Sequence, residues 1–161
     1  MPRRRPSREA PQAPTLHIAE PPAAYARRPA IVVDASVLAA TLFGEERHAL
    51  AVSMLQVRAL AAPQLVDYEI GNVALKKLRS GATSADLRGA MEDFLALDLA
   101  RHPVDLPAAL ALAQRYGLSA YDAAYLWLAE HLQAPLATFD DKLAAAARRH
   151  LTQETRPDEP A

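Results

Sequence analysis

The 161-residue sequence contains no cysteine. This absence excludes a disulfide framework, a thiolate metal site and a cysteine nucleophile, and it is typical of a protein that works in a reducing cytoplasm. No apolar run approaches the ~20 residues that a membrane-spanning helix needs. No apolar segment follows the N-terminal arginines either, so we predict neither a membrane span nor a secretory signal.

Charge and proline are unevenly distributed along the chain. The net charge is −1, but residues 1–29 contain six arginines and two glutamates, a net of +4, which leaves −5 for the rest. Seven of the thirteen prolines also lie in 1–29, with few large apolar residues between them. Such a segment buries too little surface to offset its ordering entropy. We therefore predict a flexible extension over 1–29, a folded domain over 30–150 and a disordered tail over 151–161. The alternative that the arginine-rich extension contacts nucleic acid or another acidic surface stays open.

Between the two ends, short extended segments alternate with helical patterns. AIVVDAS has the β-branched run of a buried strand, and LAAP, ARHPVD and APLATF are further extended segments. The patterns between them are helical, as in QLVDYEIGNVALKKLRSG, which has a basic last turn and a glycine stop. This alternation predicts an α/β fold with a parallel sheet and helices on both faces.

Four acidic residues lie at or near the places where such folds gather functional groups. Asp34 ends the first predicted strand, and Asp140 follows a later one. Glu69 lies beside the buried face of a predicted helix, and Asp122 opens an apolar helix. Each has a structural alternative: helix N-caps for the aspartates, including a capping box of Asp122 with Ser119, and a salt bridge to an arginine for Glu69.

Convergence of these four carboxylates would favour a divalent cation. Two like charges ~4 Å apart repel each other by ~4 kcal/mol at an effective dielectric constant of ~20. Oxygen ligands without histidine or cysteine select Mg²⁺ or Mn²⁺ over Zn²⁺. The five histidines are scattered, and we predict surface or capping positions for them. Such a carboxylate site suits metal-assisted hydrolysis of a phosphodiester.

Four segments occur in order: VVDASVL, PQLVDYEIGNVALKKL, LSAYDAAYLWLAE and LATFDDKLAAAA. Together they resemble the PIN domain, and in particular the VapC-type toxins of bacterial toxin–antitoxin pairs, over about residues 30–150. The resemblance implies a three-layer α/β/α sandwich with a short, mainly parallel central sheet. It also implies an acidic cluster that binds Mg²⁺ or Mn²⁺ and hydrolyses RNA.

The resemblance assigns site residues by motif. The acids that match the family's metal-binding and catalytic carboxylates are Asp34, Glu69, Asp122 and Asp140. The polar residues that match supporting positions are Ser36, Asn72 and Thr138. Asp140 is preferred to Asp141 because the family's pattern is threonine, any residue, aspartate.

The expected function is that of a cytoplasmic endoribonuclease toxin, with an RNA substrate, a cognate antitoxin that covers the site with a basic side chain, and a homodimeric state. The alternative is a catalytically weak PIN-like module that acts through protein–protein binding and regulation. A phosphotransfer enzyme with Asp34 as nucleophile is disfavoured, because Ser36 stands where such enzymes carry a second aspartate.

Two further groups of residues have both a structural and a functional interpretation. The basic residues that could complement a helix dipole or hold an RNA backbone are Lys76, Lys77 and Arg79. The aromatic residues that fit a core or a dimer interface better than base stacking are Tyr121, Tyr125 and Trp127.

Overall fold

The computed structural model describes residues 28–151. The extension predicted over 1–29, apart from its last two residues, lies outside this part of the chain. The tail predicted over 151–161 does so as well, apart from Leu151, which is the last residue of a helix. Within the described residues, no helix is both long enough and apolar enough to cross a membrane.

Strands and helices alternate as the sequence pattern predicts. The strands are β1 (Ala30–Val33), β2 (Ala59–Pro63), β3 (Leu99–His102) and β4 (Leu136–Ala137). The helices are α1 (Ala35–Leu42), α2 (His48–Leu55), α3 (Val66–Arg79), α4 (Ser84–Ala96), α5 (Leu106–Tyr116), α6 (Ala120–His131) and α7 (Asp141–Leu151). The APLATF segment contributes only the two residues of β4, which makes it the shortest of these elements.

The four strands form one parallel sheet in the order β3-β2-β1-β4. The chain runs outward from β1 to β2 and β3, and then returns to add β4 on the other side of β1. The strand order therefore reverses at β1. In open α/β sheets, ligands bind outside the carboxyl ends of the strands at such a reversal. The topology thus points to the turn after β1 as the place for a site.

Two groups of helices cover the sheet. Helices α1 to α4 pack against one another, and α5 and α7 pack against α6, which lies on β1 and β2. Val32 and Val33 of β1, Leu38 of α1 and Leu128 of α6 are fully buried. A parallel strand covered on both faces needs this continuous apolar run rather than an alternating one. The predicted three-layer α/β/α sandwich with a short parallel sheet is confirmed.

Two residues that precede α6 determine where this helix starts. Gly117 ends α5 with φ +65°, a left-handed conformation that glycine adopts without steric cost. Ser119 then caps α6, and its hydroxyl oxygen accepts a hydrogen bond from the Asp122 N–H at 3.1 Å. The predicted cap by Ser119 is therefore present, but Asp122 Oδ2 accepts from the Ser119 hydroxyl group and not from its backbone N–H, as a capping box would require. It also fixes Asp122 in the first turn of the helix.

One histidine prediction is wrong. His150 of α7 is only 5% exposed instead of lying at the surface. Its Nδ1 atom lies 3.0 Å from the Tyr116 hydroxyl. Its Nε2 atom lies 3.0 Å from a Glu130 carboxylate oxygen, at ion-pair distance but without the alignment of a hydrogen bond. The packing of α7 against α6 buries this residue, although the two residues before it are exposed arginines.

Candidate active site

The carboxyl ends of β1 and β4 lie side by side. Val33 pairs with Ala137 in parallel register, and the Asp34 N–H donates to the Ala137 carbonyl oxygen at 2.9 Å. The turn from β1 into α1 is thereby held against the turn from β4 into α7. This arrangement brings Asp34 and Thr138 into contact although they are 104 residues apart in the sequence.

Asp34 is a buried carboxylate held by two hydroxyl groups. Its Oδ2 atom accepts hydrogen bonds from Ser36 Oγ at 2.6 Å and from Thr138 Oγ1 at 2.7 Å. Ser36 Oγ in turn accepts from the Phe139 N–H at 3.0 Å. Asp34 occupies the N-cap position of α1, but its side chain makes no capping hydrogen bond. The side chain is therefore oriented by one hydroxyl group from the first turn of α1 and by one from the turn after β4.

Glu69 and Asp122 approach Asp34 from two different helices. Glu69 lies in the first turn of α3, and its Oε2 atom accepts a hydrogen bond from the Tyr125 hydroxyl at 2.5 Å. Its partner is thus a neutral phenol, and the alternative of a salt bridge to an arginine is not what the structure shows. Asp122 accepts a hydrogen bond on Oδ2 from Ser119 Oγ at 2.7 Å.

The three carboxylates influence one another electrostatically. Burial raises the pKa of Asp34 above its ordinary value, against the hydrogen bonds from Ser36 and Thr138, and the charge of Asp122 adds to the rise. Burial also raises the pKa of Glu69, against the hydrogen bond from Tyr125, and the charges of Asp34 and Asp122 add to it. The cluster therefore concentrates negative charge that the surrounding hydroxyl groups do not neutralise.

Asp140 is connected to this cluster but points its carboxylate elsewhere. It is exposed, and its Oδ1 atom accepts from the Leu143 N–H at 2.7 Å, which caps the start of α7. Its own N–H donates to Thr138 Oγ1 at 2.9 Å, and Thr138 donates to Asp34. The structure thus brings Asp34, Glu69 and Asp122 together and places Asp140 one hydrogen-bonded residue away.

An open groove runs between α1 and α3 beside the acids. It consists of two adjoining cavities of about 430 Å³ and about 490 Å³, which we call together the α1–α3 groove. Residues that line both cavities are Ser36, Ala39, Val73 and Lys76. Glu69 and Asn72 line only the first cavity, whereas Lys77 lines the second and forms an ion pair with Glu45 at 2.6 Å. Lys76 is therefore the basic side chain that lines both cavities of the groove.

The donor chemistry of the cluster suits a hard cation. Within residues 28–151, no group of three or more histidine, cysteine, aspartate or glutamate side chains stands ready to hold a metal ion. The converging groups are nevertheless all carboxylates, and two of them have raised pKa values that a cation would lower. Oxygen donors of this kind prefer Mg²⁺ or Mn²⁺.

The aromatic residues of α6 have three different environments. Tyr125 is 1% exposed and lies in the core as expected, but its hydroxyl reaches the acidic cluster. Trp127 stacks on His131 with ring centroids 4.8 Å apart. Tyr121 is 62% exposed and lines the α1–α3 groove. The contact of Tyr125 with Glu69 was missed by sequence reasoning, although its position three residues after Asp122 places it one helical turn from a candidate acid.

A family model for the PIN domain matches residues 31–149. The chain belongs to the PIN domain family. The match includes all four acids that the resemblance assigned to the site. The family prediction made from the four sequence segments is therefore confirmed.

Named relatives in this family are similar over most of their length. Ribonuclease VapC3 of Pyrobaculum aerophilum is 38% identical over 120 residues, which cover 71% of this chain and 92% of that protein. Ribonuclease VapC9 of Mycobacterium tuberculosis is 39% identical over 118 residues, which cover 71% of this chain and 88% of that protein. The crystal structure of PAE2754 from Pyrobaculum aerophilum superimposes with a TM-score of 0.59 at 27% identity, and covers 78% of this chain and 89% of that one. The chain is thus similar in sequence to VapC ribonucleases and similar in fold to PAE2754.

Proposed function

We propose that this PIN domain is a metal-dependent endoribonuclease that acts in the cytoplasm as the toxin of a toxin–antitoxin system. The observation that carries the proposal is the convergence of the Asp34, Glu69 and Asp122 carboxylates where the strand order reverses, beside an open groove. The names of the VapC relatives, which are ribonucleases, support the choice of RNA as substrate.

The proposed metal ligands are the carboxylates of the cluster. Asp34, Glu69 and Asp122 share one region of negative potential, and a Mg²⁺ or Mn²⁺ ion would remove their mutual repulsion. Asp140 is proposed as the fourth carboxylate, because its backbone is tied to Thr138 and through Thr138 to Asp34. When bound, the metal would activate a water molecule and neutralise the charge that develops on the phosphate.

The remaining tasks fall to this chain's own side chains. Ser36 and Thr138 both donate to the same oxygen of Asp34, which fixes the orientation of that carboxylate. Glu69 accepts a hydrogen bond from the attacking water and orients it towards the phosphorus. Lys76 and Asn72, which line the groove beside Glu69, hold the phosphate and sugar groups of the RNA.

The antitoxin follows from the charge of the same site. The hydroxyl groups that bind Asp34 and Glu69 are neutral, so they leave the negative charge available to a basic side chain. We propose that a cognate antitoxin lies in the α1–α3 groove and places an arginine or lysine among the acids, where it competes with the metal. A homodimer is part of the proposal through the family resemblance alone.

Removal of metal should abolish RNA cleavage. Purified chain, free of antitoxin, is incubated with total RNA in Mg²⁺, in Mn²⁺ and in EDTA, and the products are separated on a denaturing gel. We expect cleavage with either ion, none in EDTA, and recovery when metal is added back in excess. Cleavage that persists in EDTA would contradict the carboxylate mechanism. A folded, metal-loaded chain that cuts no RNA would favour the alternative of a protein-binding module.

The rate of RNA cleavage should also decrease as the pH is lowered. The decrease should begin at a higher pH than the ordinary pKa values of carboxylates would predict. The pKa values of Asp34 and Glu69 are raised, and a protonated carboxyl group does not bind the metal. The measurement is kcat/KM from about pH 8 to about pH 4 with Mn²⁺ below its dissociation constant, so that protons and metal compete. A rate that stays constant down to the ordinary glutamate pKa of 4.5 would show that neither group limits metal binding.

A further inference from the structure

Tyr125 combines deep burial with a polar contact in the acidic cluster. It is among the largest fully buried side chains, at 1% exposure, yet its hydroxyl donates to Glu69 Oε2. The two residues are 56 positions apart, on α6 and α3. A buried hydroxyl group needs a partner, but nothing in core packing requires that the partner be a carboxylate beside a groove.

Helix α6 supplies both an acid and the donor to a second acid. Asp122 and Tyr125 are three residues apart, so they lie on adjoining positions of one helix face, one turn apart. Asp122 is half-buried in the first turn, and Tyr125 lies one turn deeper. The phenol therefore contacts Glu69 from the core, and Tyr125 is not among the residues that line the α1–α3 groove.

Glu69 requires such a restraint because the charges around it push it outward. The negative charges of Asp34 and Asp122 both act on its carboxylate. A glutamate has three rotatable side-chain bonds, and one side of Glu69 faces the open cavity. Without a donor in the interior, the lowest-energy position of the carboxylate would be farther out in the groove, away from the other two acids.

The phenol is suited to this role because it remains a donor. A tyrosine hydroxyl ordinarily loses its proton only at about pH 10. At neutral pH it therefore donates to the carboxylate. It restrains one oxygen of Glu69 without adding a charge of its own, and Oε1 stays available for another partner.

We propose that Tyr125 is a positioning residue, whose hydroxyl holds one oxygen of the Glu69 carboxylate in the interior so that the other is presented to the metal and the attacking water. Tyr125 itself contacts neither metal nor RNA. The inference rests on the function proposed above, and its test separates the two.

The test is Tyr125→Phe, which removes the hydroxyl group and keeps the ring. Loss of a hydrogen-bond partner behind a metal ligand typically weakens metal affinity or activity about 10–100-fold. We expect a loss of that size in Mn²⁺ affinity, measured by calorimetric titration, and in kcat, with KM for RNA changed less than about twofold. The matched control is Tyr116→Phe, which removes a hydroxyl group bonded to His150 outside the cluster and should leave Mn²⁺ affinity unchanged.

A double-mutant cycle with Glu69→Gln shows whether Tyr125 acts through Glu69. When Glu69→Gln is already present, Tyr125→Phe should cause little further loss of Mn²⁺ affinity, since the two residues are in contact. Wild-type Mn²⁺ affinity in Tyr125→Phe, additive losses in the cycle, or a lower melting temperature with unchanged affinity and kcat would each overturn the inference while leaving the proposed function intact. Absence of Mn²⁺ binding by the wild type would overturn both.

Discussion

Replacement of Asp34 by asparagine should abolish RNA cleavage and, at the same time, stabilise the metal-free protein. Asparagine keeps the shape of the side chain and an oxygen that can accept from Ser36 and Thr138, so the hydrogen bonds at this turn survive. The carboxylate charge needed for metal binding is lost. We expect at least about a thousandfold lower kcat/KM, which corresponds to roughly 4 kcal/mol of transition-state stabilisation.

The gain in stability follows from the sign of the pKa change. The pKa of Asp34 is higher in the folded than in the unfolded protein, so between the two values the folded state binds more protons. The free energy of unfolding therefore decreases as the pH rises through this interval, and at neutral pH the folded protein retains an unfavourable buried charge. Asparagine removes that charge. We expect a rise in melting temperature of about 2–4 °C, the change that ~1 kcal/mol produces in a domain of about this size.

Thermal unfolding with and without Mn²⁺ checks both parts of this prediction. The wild type should melt at a higher temperature when Mn²⁺ is added, because a ligand that binds only the folded state stabilises it. Asp34→Asn should start from a higher melting temperature and gain nothing from the metal. The control is Asp67→Asn, which breaks an ion pair with Arg101 at 2.7 Å outside the cluster and should change neither cleavage nor metal response. An inactive but destabilised Asp34→Asn would instead indicate a structural role.

The second large effect is expected from replacement of Asp122, and Asp86, which also lies in the first turn of a helix, provides the comparison. Asp122 N–H donates to Ser119 Oγ at 3.1 Å, and that hydroxyl group donates back to Asp122 Oδ2 at 2.7 Å. Asp86 repeats the arrangement at the start of α4 with Thr83, at 3.1 Å and 2.6 Å. The two residues share these two hydrogen bonds, and Asp86 Oδ2 also accepts from the Thr83 N–H at 3.3 Å, which completes a capping box at α4. Only Asp122 acts on the charges of the acidic cluster.

Asp122→Asn should lower kcat/KM about a hundredfold or more, whereas Asp86→Asn should retain cleavage within about twofold. Both substitutions remove a favourable negative charge from the first turn of a helix, worth about 0.3–1 kcal/mol. For Asp122 this loss is offset by reduced repulsion with Asp34 and Glu69, so Asp86→Asn should have the larger decrease in melting temperature. Equal effects of the two substitutions on cleavage would mean that Asp122 serves the helix alone.

Most of the fold could be predicted because its signals are local. The limits of α5 follow from Asp105 and Pro107 at one end and Gly117 at the other, and Thr83 marks the start of α4. Alternation of such helices with short apolar strands leaves few arrangements other than a parallel sheet covered on both faces. The position of Asp34 was predictable for the same reason, since a strand end is visible in the sequence.

The parts that could not be predicted depend on side-chain directions set by distant packing. No local pattern indicates that the Tyr125 hydroxyl meets Glu69, because the contact requires α3 and α6 to pack in one particular rotation. The Asp140 carboxylate could likewise cap the start of α7 or turn towards the acidic cluster. In this structure it caps the helix. The burial of His150 results from helix packing as well.

The late arrival of β4 in the chain has a consequence for protein synthesis. A ribosome completes β1, α3 and α6 before it reaches Leu136, and the two residues of β4 carry Thr138 to the side of Asp34. A nascent chain that stops before this strand has three of the acids but lacks the hydroxyl group that completes the support of Asp34. The site thus takes shape only when translation is far advanced.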